Sequence, residues 1–225
     1  MTKTPDRRIL VVELRRVVKW LHYSVKVMLL SVRWYADYPL SPRRIEEMMA
    51  ERGVRVDHAT IHRWALKILP VLAKVFRRRK RSVGSSWRMD ETYILVAGQW
   101  SYLYRAVDRD GDTVDFLFTV KRDLAAARRF FEQAINLHDL PASITIDKSG
   151  ANTAAINSVI ADTCADLLRR QSKYLSNMVE QDHRAVKRIT QPMLGSKAFR
   201  SAARIIAGIE TMHMIKKGQW HCPEG

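Results

Sequence analysis

Three carboxylates stand out by where they sit. Asp90 lies inside a β-prone run that opens Trp87-Arg88-Met89; strand interiors disfavour Asp, so its presence there needs a reason. Asp147 ends the apolar run Ile144-Thr145-Ile146 and precedes Lys148-Ser149-Gly150. An acid at the end of a buried strand can face a crevice, but it can equally be a turn former or a helix cap. Glu180 stands in a helical stretch from Asn177 to Thr190. At about 100° per residue, Glu180, Arg184, Lys187 and Gln191 share one face, while Met178, Val179, Ala185, Val186 and Ile189 take the other. Taken alone, such a face reads as simple i,i+4 pairing in water; where the fold turns it into a site, the acid can bind metal and Arg184 and Lys187 can grip a DNA backbone. Carboxylates that converge on one point hold hard divalent cations, which take oxygen ligands and leave positions open for phosphate and water. That is the chemistry of phosphoryl transfer. The rival acids have other work to do. Glu91 points to the opposite face from Asp90 in a regular strand, Asp108, Asp110 and Asp112 belong to a turn, and Asp182 faces elsewhere on the helix than Glu180.

The elements that must carry these residues can be read from period and punctuation. Trp87–Val96 and Trp100–Val107 are strands joined at Gly98-Gln99, the second with aromatics alternating at Trp100, Tyr102 and Tyr104. Asp108-Arg109-Asp110-Gly111-Asp112 is a hairpin turn, and Thr113–Val120 is the third strand. Asp123 caps an Ala-rich helix to about Leu137, Ser143–Asp147 is a short buried strand, and a helix runs from about Asn152 to Leu168. A weak strand at Arg170–Tyr174 and the helix from Asn177 complete the order. Three antiparallel strands, helix, strand, helix, strand, helix is the order of the ribonuclease H-like fold, a mixed α/β sheet flanked by helices.

The preceding segment differs in charge. The chain has 225 residues with 39 Lys/Arg against 23 Asp/Glu, a net +16. Residues 1–89 hold 21 Lys/Arg and 7 Asp/Glu, so nearly all the excess lies there. A polyanionic partner is expected. From Ile9 to Tyr35 the pattern is helical, and Tyr38-Pro39-Leu40 breaks it. Ser41-Pro42 opens a helix that Arg52-Gly53 ends; Asp57 then caps a helix from His58 to about Leu69, interrupted by Pro70. Two helices about a Gly-containing connection (about 41–69) describe a helix-turn-helix or an ordinary helical hairpin. In a helix-turn-helix the second helix enters the major groove by its N-terminal part. That makes His58, Thr60, His62 and Arg63 the candidates for DNA contact, Arg63 foremost because a guanidinium pairs with guanine or grips phosphate. His58 and His62 lie one turn apart but lack a third ligand for a metal. The run Arg77, Arg78, Arg79, Lys80 and Arg81, next to Ser82-Val83-Gly84-Ser85-Ser86, reads as an exposed linker or a solvated helix end, with phosphate contact expected. Residues 1–80 are thus expected to form a helical DNA-binding unit, 81–86 a linker, 87–220 the sheet domain and 221–225 a tail. Cys164 and Cys222 cannot build a disulfide framework, so a reducing compartment is the default. The apolar stretches are too short and too interrupted for a signal peptide or membrane span, and the cations form no basic amphipathic stripe for a membrane surface.

Seven segments resemble, in order, the insertion-sequence-six family of transposases, which carry a DDE catalytic domain. They are Val32-Arg33-Trp34-Tyr35, Glu46-Glu47-Met48-Met49, Val56-Asp57-His58 through Arg63-Trp64, Trp87 through Tyr93, Tyr102 through Asp108, Ile146-Asp147-Lys148, and Lys173-Tyr174-Leu175 through Val179-Glu180-Gln181-Asp182-His183. The resemblance runs from about His22 to Trp220. It implies Asp90, Asp147 and Glu180 as a catalytic, metal-binding triad for two Mg or Mn ions, with Lys187 at the basic position that follows the Glu. It also implies cleavage at the element's ends, strand transfer into target DNA by a replicative route that forms a cointegrate, and a homodimer or higher oligomer on DNA in the cytoplasm of a prokaryote, at the nucleoid. Two other readings stay open: a nuclease that cuts without joining, and a helix-turn-helix regulator with an inactive domain.

Overall fold

The alternating aromatic and aliphatic residues of 86–119 form three antiparallel strands in the computed structural model, which describes residues 14, 17, 23–146, 150–163, 167–171, 177–191 and 198–220. Asp147 lies outside the described residues, as do most of the first expected helix before Tyr23 and the end of the expected strand at Tyr174. Two compact units are present: Met1–Arg81 with Arg188–Gly225, and Ser82–Lys187. The segment expected to form the sheet domain, 87–220, therefore contributes to both.

In the second unit, β1 (Ser86–Val96), β2 (Gln99–Asp108) and β3 (Thr113–Thr119) precede α4 (Leu124–His138), β4 (Ser143–Ile146), α5 (Gly150–Thr163), β5 (Leu168–Gln171) and α6 (Asn177–Thr190), of which residues up to Lys187 belong to this unit. The sheet order is β3-β2-β1-β4-β5. β1, β2 and β3 are antiparallel, while β4 lies parallel to β1 and β5 parallel to β4. This is the ribonuclease H-like arrangement. β1 and β2 close through Ala97 (φ 50°) and Gly98 (φ 78°), the two left-handed positions of a two-residue hairpin turn. Asp108 builds the next turn: its Oδ1 accepts from Asp110 N (3.0 Å) and Asp112 N (2.9 Å), and its Oδ2 accepts from Gly84 N (2.7 Å). The small residues read as a flexible linker are thus tied to this unit, since Gly84 O also accepts from Trp87 Nε1 and Ser85 O from Ala142 N. One face of the sheet is the apolar core, where Trp87, Met89, Tyr104 and Ala106 meet Ala127, Phe130, Phe131 and Ala134 of α4 and Ala155, Ile156 and Val159 of α5. α5 covers Gly150–Thr163, and Leu168, expected at its end, belongs to β5 instead.

In the first unit, α1 (Val25–Asp37), α2 (Pro42–Ala50), α3 (His58–Arg77) and α7 (Phe199–Lys216) pack together. Ser41 accepts from Arg44 N (3.2 Å) with Pro42 in the first turn, and Asp57 accepts from Thr60 N (2.8 Å), as the capping pattern predicts. α3 does not stop at Pro70; it continues to Arg77. A mid-helix Pro removes one hydrogen bond, and here burial on both sides of it outweighs that loss: Ile68, Leu69, Val75 and Phe76 are all buried. α7 has no counterpart in the element pattern read above. Its Ala202, Ile205, Ile206 and Ile209 are buried at helical spacing. The basic run is not a free linker either. Arg81 N donates to Gln219 O (3.0 Å), Lys80 bridges to Trp220, and the Arg79 guanidinium lies 5.8 Å from the Trp220 ring centre. No helix among the described residues is long and apolar enough to cross a membrane.

α7 lies so close to α3 that a Cβ on Gly208 would fall 2.6 Å from Leu69 Cδ1 and 2.7 Å from Leu69 Cβ. Gly208→Ala should therefore lower stability by about 1–3 kcal/mol through overpacking, despite the better helix propensity of Ala. Urea unfolding of the two proteins measures this, and an unchanged or higher stability would contradict the close approach.

Candidate active site

β1 alternates its side chains between the two sheet faces, and the split falls at Asp90 and Glu91. Glu91 shares the core face with Met89, where its carboxylate pairs with Arg122 and accepts from Asn152 Nδ2 of α5. Asp90 takes the other face, directly across from Arg105 of β2. Its Oδ1 accepts from Glu91 N at 2.9 Å, and its side chain keeps 21% exposure.

Arg105 is fully buried. Its guanidinium donates to Thr113 Oγ1 (2.9 Å) and pairs with Asp182 of α6 (3.3 Å). Asp182 is therefore a docking residue. The buried side of α6 consists of Val179, Asp182, His183, Val186 and Ile189. His183, also buried, brings Nε2 to 3.8 Å from Asp90 Oδ2. Glu180 lies one turn before His183, exposed, and accepts from Arg184 at 2.7 Å. Lys187 places its ammonium 4.5 Å from the ring centre of Tyr93, three residues along β1 from Asp90. The fold thus lays the helix that carries Glu180, Arg184 and Lys187 beside the strand that carries Asp90.

Five other acids of this unit serve identifiable structural ends. Asp108 holds its turn, Asp115 accepts from Gln133 Nε2 (2.6 Å), Asp123 caps α4, and Glu132 and Asp162 bind Arg128. No group of three His, Cys, Asp or Glu side chains among the described residues gathers closely enough to hold a metal ion.

Of the residues considered for DNA contact, Arg63 is exposed and donates to Thr60 Oγ1 (2.6 Å), which itself donates to Asp57 Oδ2 (2.6 Å). That bond holds the Asp57 carboxyl below its usual range. His58 is tethered by Glu46, whose Oε2 lies 2.8 Å from His58 Nδ1. His62 turns inward: its Nδ1 meets Tyr35 Oη at 2.9 Å, and burial lowers its pKa. Arg77, Arg78 and Arg81 are exposed, and Arg79 and Lys80 are half-buried.

Sequence pattern misses two residues of the catalytic unit. Arg105 could have been suspected as a cation inside an apolar strand, opposite Asp90 by hairpin counting. His183 gave no signal beyond standing at i+3 from Glu180. Burial first, then Arg105 and Lys187, push the His183 ring down to about 3, against about 6.5 in an unfolded chain. Below about pH 6.5 the unfolded chain takes up a proton that the folded chain refuses, so stability falls with pH until about pH 3. Thermal unfolding from about pH 7 to pH 4 should show a steeper loss for the native protein than for His183→Leu; equal slopes would contradict the buried neutral ring.

Comparison with known proteins agrees with the sequence segments. The family model for the DDE domain of IS240-type transposases matches residues 84–219. The transposase for insertion sequence-like element IS431mec of Staphylococcus aureus is 34% identical over 201 residues, covering 88% of each chain. The transposase for insertion sequence element IS257 in transposon Tn4003, also of Staphylococcus aureus, is 33% identical over the same share. Among solved structures, the HTLV-2 integrase catalytic core domain in complex with magnesium (trimeric form) is 17% identical with a TM-score of 0.46, covering 59% of this chain and 87% of that one. The catalytic core domain of BIV integrase is 14% identical with a TM-score of 0.41, covering 55% and 82%. With the family model spanning more than half of its length and a relative matched over most of it, the chain belongs to the insertion-sequence-six family of DDE transposases.

Proposed function

We propose that this transposase binds the ends of its own insertion sequence, cuts them and joins them to target DNA, with Asp90, Asp147 and Glu180 holding two Mg or Mn ions. The observation that carries the reading is the α6–β1 juxtaposition. A partly exposed Asp in mid-strand is faced by a helix bearing Glu180 and two cations, while the neighbouring acids are engaged in turns, caps and ion pairs. The donor set suits such ions, since carboxylate oxygens are the ligands that hard cations take. When bound, divalent cations supply Lewis-acid stabilisation of the charge that develops on the attacking and leaving oxygens.

The chain's own residues do the rest. Glu91 accepts from Asn152 and so anchors the first turn of α5, which begins three residues after Asp147 in the sequence. Arg184 and Lys187 bind phosphates beside the site. Water attacks a phosphodiester at the element's end and frees a 3′-hydroxyl. That hydroxyl attacks a target phosphodiester in line, with no covalent enzyme intermediate. Family membership supports the replicative route, in which donor and target become a cointegrate. The first unit supplies end recognition through the N-terminal part of α3, with Arg63 reading a base or phosphate and Thr60, His58 and His62 around it. Arg77, Arg78, Arg79, Lys80 and Arg81 add backbone contacts. Two ends must be held together, so the working form is a dimer or larger, in the cytoplasm where the DNA lies.

Strand-transfer assays on a terminal-repeat duplex test this. Asp90→Asn, Asp147→Asn and Glu180→Gln should each slow joining on the order of 10³-fold or more, equivalent to about 4 kcal/mol, while still binding the duplex. Arg63→Ala should weaken end binding by about 1–3 kcal/mol. Joining at the native rate by all three carboxylate variants would contradict the reading. Cut but unjoined ends from the native protein would favour the nuclease, and binding with neither product would favour the regulator.

A further inference from the structure

His183 is the one feature of this site that neither the triad nor the phosphate grip uses. The ring is buried, and neither Nδ1 nor Nε2 has a hydrogen-bond partner among the described residues. Leaving a buried polar group unmade costs about 1–3 kcal/mol, and such orphans in a native fold call for a reason. Nε2 points at the Oδ2 of Asp90 from 3.8 Å, about 0.8 Å beyond hydrogen-bond distance. The other oxygen, Oδ1, is already held by Glu91 N at 2.9 Å. Arg105 pairs with Asp182 and donates to Thr113, and Lys187 lies over the face of Tyr93.

We propose that His183 is the positioning residue for Asp90, its Nε2–H closing on Oδ2 when a divalent cation binds, so that the backbone amide and the imidazole together hold both oxygens of the carboxylate. This rests on the reading of Asp90 as a metal ligand. A carboxylate offers about four acceptor sites, so one donor to each oxygen leaves lone pairs free for the ion. The residue touches neither substrate nor reacting atoms; it acts through Asp90. A partner of this kind orients a metal-binding carboxylate, and losing one typically costs about 10–100-fold in metal affinity. Val179 and Val186 are buried on the same side of α6 as the ring.

The test is Mn2+ affinity of the full-length protein, read by electron paramagnetic resonance of the free ion and repeated with Mg2+ as competitor. Asp90→Asn should abolish the tight site. His183→Leu should weaken it about 10–100-fold, with the metal-free thermal midpoint close to native at pH 7.5, a roughly neutral condition in which the ring carries no charge in either state. His183→Asn, which keeps a donor, should bind within about threefold of native. If Asp90→Asn binds Mn2+ as well as the native protein, the metal reading of Asp90 falls and this inference with it. If Asp90→Asn loses the ion but His183→Leu keeps native affinity, only the role of His183 is overturned. Should His183→Leu fail to fold, the Asn variant decides alone: binding as weak as in Asp90→Asn overturns the proposal, and near-native binding supports it.

Discussion

A buried guanidinium governs the architecture of this catalytic unit. Arg105 has no exposed surface and sits in the middle of β2, where its charge must be met from inside the protein. Asp182 of α6 and Thr113 of β3 meet it. Burying such a pair gains little over apolar packing, but removing one partner strands the other charge and typically costs about 3–5 kcal/mol. The pair therefore acts less as glue than as a register mark: only one placement of α6 on this face of the sheet satisfies Arg105. Because Arg105 is the cross-strand partner of Asp90, that placement also fixes which turn of the helix lies beside Asp90. His183 is the next residue after Asp182, and Glu180 comes two residues before it.

The two-residue period of β1 divides labour between adjacent acids. Glu91 goes to the core side, where Arg122 and Asn152 neutralise and bind it. Its carboxylate stands near Tyr104, whose hydroxyl is pushed up to about 12 by burial and then by the Glu91 charge. Asp90 goes to the side of α6 and keeps solvent access. One residue of register slip would exchange these environments, sending the exposed acid into the aromatic core. The apolar packing of Trp87, Met89, Tyr104 and Phe130 prevents that slip, and so the core on one face decides which acid the other face presents.

Much of this was legible in the residues. Capping at Ser41, Asp57 and Asp123, the strand alternation, and the turn role of Asp108 all follow from local rules, and local rules govern those places. Glu91 facing away from Asp90 follows from the period of a strand. What escaped reading depends on tertiary contact. α3 runs through Pro70 because Leu69 and Phe76 are buried, which no propensity reports. α7 carries Gly208 and Glu210 in its interior, which weakens the helical signal although both are buried. Arg77–Arg81 looked like a free linker because its anchor at Gly218–Trp220 is more than a hundred residues away in sequence. His183 was invisible because an isolated His on a charged helix has no pattern, and only its burial against Asp90 gives it meaning.

The central proposal is that Asp90, Asp147 and Glu180 together hold the two divalent cations. Fe2+ substituted for Mg2+ in the full-length protein, with ascorbate and peroxide, cleaves the polypeptide chain next to wherever the ion sits. The account predicts backbone cuts clustered near residues 90, 147 and 180, suppressed by excess Mg2+ and absent in Asp90→Asn. Cuts confined to the acidic turn at Asp108–Asp112, or a pattern unchanged by Asp90→Asn, would contradict it.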